Sequence, residues 1–96
     1  MTVSQRINHI NENSYDDDIT VTDVPKGYFL APTGNSIPHG STTREIRIDI
    51  FPLEQAPGGT RTINTGLFVR QQDETEIKVT VYQDGNEQAT NTQAYS

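Results

Sequence analysis

An alternation of isoleucine with charged residues, in the range 43–53, constrains the fold of this chain more than any other stretch. Ile46, Ile48 and Ile50 are separated by single acidic or basic residues, which is the period of two of a β-strand with one buried face. Pro52 cannot donate a hydrogen bond to a sheet, so we expect the strand to end there. We therefore predict that this stretch is the central strand of a β-domain.

The rest of the chain also favours strands over helices. Ile, Val and Thr contribute 28 of the 96 residues, whereas Leu, Ala and Met contribute eight, and β-branched side chains suit a pleated sheet. Alternation returns in the ranges 61–70 and 75–83, and Asp84-Gly85 is a strong signal for a tight hairpin turn. We predict an all-β fold, namely a small antiparallel β-sandwich or barrel of six to eight short strands.

The three local predictions that follow from this pattern concern strand faces and connections. In the range 61–70, Ile63 and Leu67 are expected on one face and Phe68 on the other. The range 71–74 is expected to be a hairpin connection. The acidic run at 16–18 is expected to be a charged loop.

Length and composition indicate one domain with a thin core. Residues 1–96 fall in the usual size range of a single domain. Leu, Ile, Val and Phe together number 21, about 22% of the chain and just above the ~20% below which disorder is expected. There is no cysteine, so disulfides cannot supplement the core, whereas a partner could.

Both ends of the chain are polar. Residues 1–14 are predicted to be an N-terminal arm, in which Val3, Ile7 and Ile10 have the i, i+4, i+7 spacing of a short amphipathic helix. An extended arm that pairs with a neighbour is the competing interpretation, and the sequence leaves both open. Residues 87–96 are expected to form a C-terminal edge strand or tail.

Charge and hydropathy exclude some classes of partner. The net charge is −6 with only seven basic residues, so neither nucleic acid nor an anionic membrane surface is expected to bind. The longest apolar run, Tyr28–Ala31, is too short to span a bilayer. The N-terminus does not resemble a signal peptide, so we expect synthesis in the cytoplasm.

No motif carries enough chemistry to predict an enzyme. Asp16, Asp17 and Asp18 are weak candidates for Ca²⁺ ligands, but they lack the spacing of an EF-hand, so no metal or other cofactor is predicted. The two histidines, His9 and His39, stand thirty positions apart without cysteines to complete a zinc site.

We therefore expect a non-catalytic structural protein, a repeated β-subunit of a larger assembly such as a virion, as a capsid-decoration or tail component. Its partner would be protein, either further copies or other chains. The interface candidates are Val3, Ile7, Ile10, Phe68, Tyr82 and Tyr95. The alternative is a ligand-binding module, most plausibly for carbohydrate, that would use Tyr28 and Tyr82 for stacking.

Overall fold

The computed structural model describes residues 1–95, which form seven β-strands and no helix. Ser96, the last residue of the predicted C-terminal segment, lies outside the described residues. The strands are β1 (Thr2–Asn11), β2 (Ser14–Val24), β3 (Tyr28–Ser36), β4 (Thr43–Pro52), β5 (Gly59–Val69), β6 (Glu76–Gln83) and β7 (Asn86–Ala94).

The strands form two sheets packed face to face. The three-stranded sheet has the order β1-β2-β5, and the four-stranded sheet has the order β3-β4-β6-β7. Every neighbouring pair is antiparallel except β4 and β6, which run parallel. The predicted all-β sandwich is confirmed, and the described residues do not close into a barrel.

The core lies between the sheets and is built mainly by β4 and β6. The predicted isoleucines of β4 are all buried, and Pro52 ends that strand. Ile77, Val79 and Val81 of β6 are fully buried beside them, as their alternation predicts. Ile19 and Val21 of β2 close the core from the three-stranded sheet. Alternation therefore identified the inner face of the four-stranded sheet correctly.

The N-terminal segment is an extended strand, so the interpretation as a helix was wrong. β1 pairs along its length with β2 of the same chain, from Thr2 opposite Thr22 to Asn11 opposite Ser14. β1 is an edge strand of its sheet, and its pairing with a neighbour stays a prediction. Val3 and Ile7 have the same phase along β1 and contact the core, whereas Ile10 has the opposite phase and is 57% exposed.

The acidic run at 16–18 belongs to a strand and not to a loop, contrary to the sequence prediction. β2 begins at Ser14, and Asp16 and Asp18 pair with residues of β1 and β5. Pairing with a strand on each side satisfies the backbone hydrogen bonds of this polar stretch. The local charge of the sequence does not indicate such partner strands. Asp17 points to the core and is fully buried.

Two predictions for β5 were wrong, namely the faces on which Leu67 and Phe68 lie and the kind of connection that follows the strand. The register with β2 shifts between Leu67, opposite Asp16, and Asn64, opposite Asp18. This bulge contains Gly66 with a positive φ of 90°, and it turns Phe68 into the core while Leu67 faces solvent. The connection 71–74 is not a hairpin, because β5 and β6 lie in different sheets.

Residues 86–94 of the C-terminal segment form the strand β7. Asp84 and Gly85 both have positive φ, as a type I′ hairpin requires, and join β6 to β7. β7 is an edge strand of the four-stranded sheet. Residues 1–95 contain no helix long and apolar enough to cross a membrane.

Candidate functional site

The outer face of the four-stranded sheet carries large aromatic side chains where alternation would place polar ones. Phe29 of β3 lies directly opposite Phe51 of β4. Their ring centroids are 5.5 Å apart, and each residue remains 39% exposed. Cross-strand aromatic pairs of this kind stabilise a sheet, yet the exposure leaves much of their apolar surface facing water.

A third aromatic residue, Tyr82, lies on the same outer face and is covered by an arginine. Tyr82 pairs with Asp49, two residues before Phe51 on β4. The guanidinium of Arg47 lies 3.9 Å from the centroid of the Tyr82 ring, which is a cation–π contact. We call Phe29, Phe51, Tyr82 and Arg47 the aromatic patch.

Hydrogen bonds hold the arginine of the aromatic patch in place. Nε and Nη2 of Arg47 donate to the two carboxylate oxygens of Asp49 at 2.8 and 3.0 Å. The Thr33 hydroxyl donates to the same carboxylate. These hydrogen bonds, chiefly those from Arg47, lower the pKa of Asp49. Asp49 therefore stays ionised and serves to orient Arg47.

A shallow polar depression borders this patch. It has a volume of about 280 Å³ and is lined by Gly34, Ser36, Glu45 and Thr80 together with the arginine and tyrosine of the patch. Glu45 is exposed on β4, whereas Thr80 of the neighbouring strand β6 is only 7% exposed. The surface around the aromatic patch is thus polar, as the rim of a protein interface is.

A buried ion pair fixes the connection between β5 and β6. Nε and Nη2 of Arg44 donate to the carboxylate of Glu74 at 3.0 and 2.9 Å, and Nη1 donates to the Asn35 side chain at 2.7 Å. Arg44 also lies over the Phe68 ring, 4.5 Å from its centroid. Glu74 in turn accepts a hydrogen bond from the Gln71 backbone. This network is structural, since all its charges are engaged within the chain.

A polar cavity of about 480 Å³ adjoins this ion pair and brings His39 near Ser41. The Ser41 hydroxyl accepts a hydrogen bond from the Thr43 backbone N–H at 3.0 Å. Glu74, the acid of this cavity, is held by Arg44. The cavity therefore presents neither a serine aligned with a base nor a free carboxylate to orient one.

The three consecutive aspartates do not converge on one ligand. Asp18 faces outward and accepts hydrogen bonds from Asn8 and Asn64 at 3.2 and 2.6 Å. Asp17 faces the core, where neither of its carboxylate oxygens has a hydrogen-bond partner among residues 1–95. Burial, with the charges of Asp18 and Asp16 adding to it, raises the pKa of Asp17 to about 7. Within residues 1–95, no three histidine or acidic side chains are grouped to hold a metal.

The structure separates the six predicted interface residues. Val3 and Phe68 are buried in the core, and Ile7 packs against it. Tyr95 packs on the Tyr15 ring at 4.9 Å between centroids. Of the other two, Ile10 is 57% exposed, and Tyr82 is half-buried on the outer face, in the aromatic patch.

The sequence analysis missed Phe29 and Phe51, although one signal was available for the second. On β4, Phe51 has the same phase as Glu45, Arg47 and Asp49, which alternation had already placed on the polar face. Alternation therefore places this aromatic residue on the solvent face of the strand. Phe29 could not be added without the register of β3 on β4.

Comparisons with known proteins add no relative to this description. No protein-family model, curated protein or solved structure matches the chain. The functional argument therefore depends on the geometry of the chain itself.

Proposed function

We propose that this chain is a non-catalytic β-subunit that acts through protein contacts as a repeated part of a larger assembly, and that the aromatic patch is its contact surface. The observation that carries the proposal is the exposed Phe29–Phe51 pair on the outer face of the four-stranded sheet. A virion, with capsid-decoration or tail subunits, is the assembly that the sequence suggests, and it remains part of this proposal.

The composition of the aromatic patch supports a protein partner. Aromatic residues and arginine are the types enriched in the energetic centres of protein interfaces. Arg47 is already held by Asp49 and stacked on Tyr82, so little side-chain freedom remains to be lost on binding. A sheet face of this kind also offers a rigid platform, because β4 and β6 are anchored by the core beneath it.

The carbohydrate alternative gains no support from the two tyrosines on which it depended. Tyr28 lies on the inner face of β3 and packs against the core, whereas Tyr82 lies on the outer face of the sheet. They therefore form no common stacking platform. The guanidinium of Arg47 also lies over the ring of Tyr82, so it occupies a ring face on which a sugar would stack.

The proposal is tested by sedimentation velocity on the wild-type chain over a range of concentrations. We expect reversible self-association that strengthens with salt, because the net charge of −6 makes copies repel one another at low ionic strength. The double variant Phe29→Ser/Phe51→Ser should stay monomeric and keep its wild-type circular dichroism.

A matched control uses an exposed apolar residue on the other sheet. Leu67 is 68% exposed on β5, so Leu67→Ser removes similar apolar surface away from the aromatic patch. We expect this variant to associate like the wild type. Loss of association in Leu67→Ser alone would overturn the assignment of the contact surface, and a strictly monomeric wild type would overturn the repeated-subunit proposal.

A further inference from the structure

The sandwich is open along one side, where the edge strands β3 and β5 of the two sheets face each other. An apolar groove of about 460 Å³ lies at this opening. Its volume falls within the ~300–1,000 Å³ of small-molecule sites. The apolar residues that line it are Tyr28, Phe29, Leu30, Leu53, Ala56, Pro57 and Ile63.

The loop wall of this groove is fixed by backbone hydrogen bonds. The Gly27 N–H donates to the Ala56 carbonyl at 2.9 Å, and the Leu53 N–H donates to the Gly27 carbonyl at 2.8 Å. A third bond runs from the Ala56 N–H to the Leu53 carbonyl at 2.9 Å. Since Leu30 on the opposite side belongs to the buried core, both walls are formed before any ligand arrives, which lowers the entropic cost of binding.

An exposed arginine, Arg61, lines the groove. Arg61 of β5 is in register with Val21, which is fully buried on β2. Its side chain donates to the backbone carbonyl of the adjacent Thr60 at 3.1 Å. Within residues 1–95 no carboxylate lies within ion-pairing distance of Arg61, as the ion pairs are those of Arg44 and Arg47.

From these observations we propose that the groove binds a small amphipathic organic anion. Its aromatic or branched aliphatic body would lie between Leu30 and Ile63, and its carboxylate or sulfonate would pair with Arg61. Glu54 also lines the groove and opposes an anion, so the ligand's charged group lies toward the β5 wall. The groove shares Phe29 with the aromatic patch, whereas Glu54, Arg61 and Ile63 line only the groove. Variants at these three positions therefore test the groove alone, so its failure and the failure of the proposed function are distinguishable.

Two fluorescent probes that differ in charge test the proposal on the intact chain. Anilinonaphthalene sulfonate is an aromatic anion, whereas N-phenylnaphthylamine has the same rings and no charge. We expect both to bind the wild type, with the anion tighter. Arg61→Gln should lower the affinity for the anion roughly fivefold, which corresponds to the loss of about 1 kcal/mol for an exposed ion pair. It should leave the affinity for the neutral probe unchanged.

Glu54→Gln is the matched control, because it removes a negative charge from the groove where Arg61→Gln removes a positive one. It should strengthen binding of the anion and leave the affinity for the neutral probe unchanged. Ile63→Phe should fill the groove and weaken both probes, after its folding has been checked by urea unfolding. When the anion is added to the wild type, the largest changes in backbone amide chemical shift should be at Leu30, Ala56 and Ile63. This measurement locates the binding site without any variant.

Three outcomes would overturn the proposal. One is the absence of binding by either probe, and a second is equal affinity of the anion for wild type and Arg61→Gln. The third is a dimer that dissociates in Ile63→Phe while neither probe binds the wild type, because the groove would then be occupied by a second copy of the chain.

Discussion

The buried carboxyl group of Asp17 should make the stability of this protein fall as the pH rises toward neutrality. Asp17 is fully buried on the inner face of β2, and in the part of the chain that the structure describes both of its carboxylate oxygens lack hydrogen-bond partners. Burial is the main reason that its pKa is raised from 3.8 to about 7, and the charges of Asp18 and Asp16 contribute. The perturbation that isolates this effect is Asp17→Asn, which removes the titrating group and nearly preserves its shape.

The sign and the magnitude of the effect follow from proton linkage. The unfolded chain releases the Asp17 proton near pH 3.8, whereas the folded chain keeps it until about pH 7. Between these values the folded state binds more protons, so its free energy of unfolding falls with rising pH. With about 1.4 kcal/mol per pKa unit, the total loss is about 4 kcal/mol and is complete above pH 7.

The assay is urea unfolding, followed by far-UV circular dichroism, of wild type and Asp17→Asn at a series of pH values. The difference in free energy of unfolding between them cancels the titration of all other groups. We expect this difference to shift in favour of the variant by about 4 kcal/mol between pH 4 and pH 8. Asp17→Val should show the same pH dependence, since it also cannot ionise. A difference that stays constant with pH would refute the reasoning.

Two further predictions concern a buried charge and a backbone position. Glu74→Gln should destabilise the fold by about 3–5 kcal/mol in urea unfolding, because it leaves the buried Arg44 without its counter-charge; an equal effect from Glu87→Gln, on an exposed acid of β7, would contradict this. Gly58→Ala should cost more than Gly59→Ala, by about 1–3 kcal/mol. Both glycines have positive φ, but only at position 58 would a Cβ approach backbone atoms, at 2.7 Å from the Lys26 nitrogen and the Val24 oxygen; equal effects would contradict the clash.

The parts of the fold that the sequence predicted well are those in which a local pattern decides the structure. β4 and β6 follow from alternation because one face of each is fully buried, and a one-residue shift would expose every isoleucine and valine. The Asp84-Gly85 turn follows because positive φ at both positions suits few residue types. Neither inference requires knowledge of the partner strand.

The errors arose where a partner strand or a bulge decides the structure. The segment with Asp16 and Asp18 becomes a strand because β1 and β5 pair with it on both sides. The faces of Leu67 and Phe68 depend on the bulge at Gly66. The parallel pairing of β4 with β6 joins strands separated by the whole of β5. Such contacts between distant segments leave no periodic trace in either segment.

The candidate sites were partly visible in the sequence. Arg44 has the phase of the buried isoleucines of β4, so a buried partner could have been expected, although Glu74 could not be named. Phe51 has the phase of the polar face, which indicates an exposed aromatic residue. Its neighbours Phe29 and Tyr82 join it only through strand register. Registers of this kind are set by the assembled core and are not encoded locally.

The central claim is that the aromatic patch meets another protein chain, and site-specific photo-crosslinking tests it most directly. A photoreactive benzoylphenylalanine in place of Phe51 should, on irradiation of the associated protein, give a covalent dimer whose linked peptides map to the patch of the second copy. The same group in place of Leu67, on the other sheet, should give no such product. Efficient crosslinking from position 67 with none from position 51 would contradict the account.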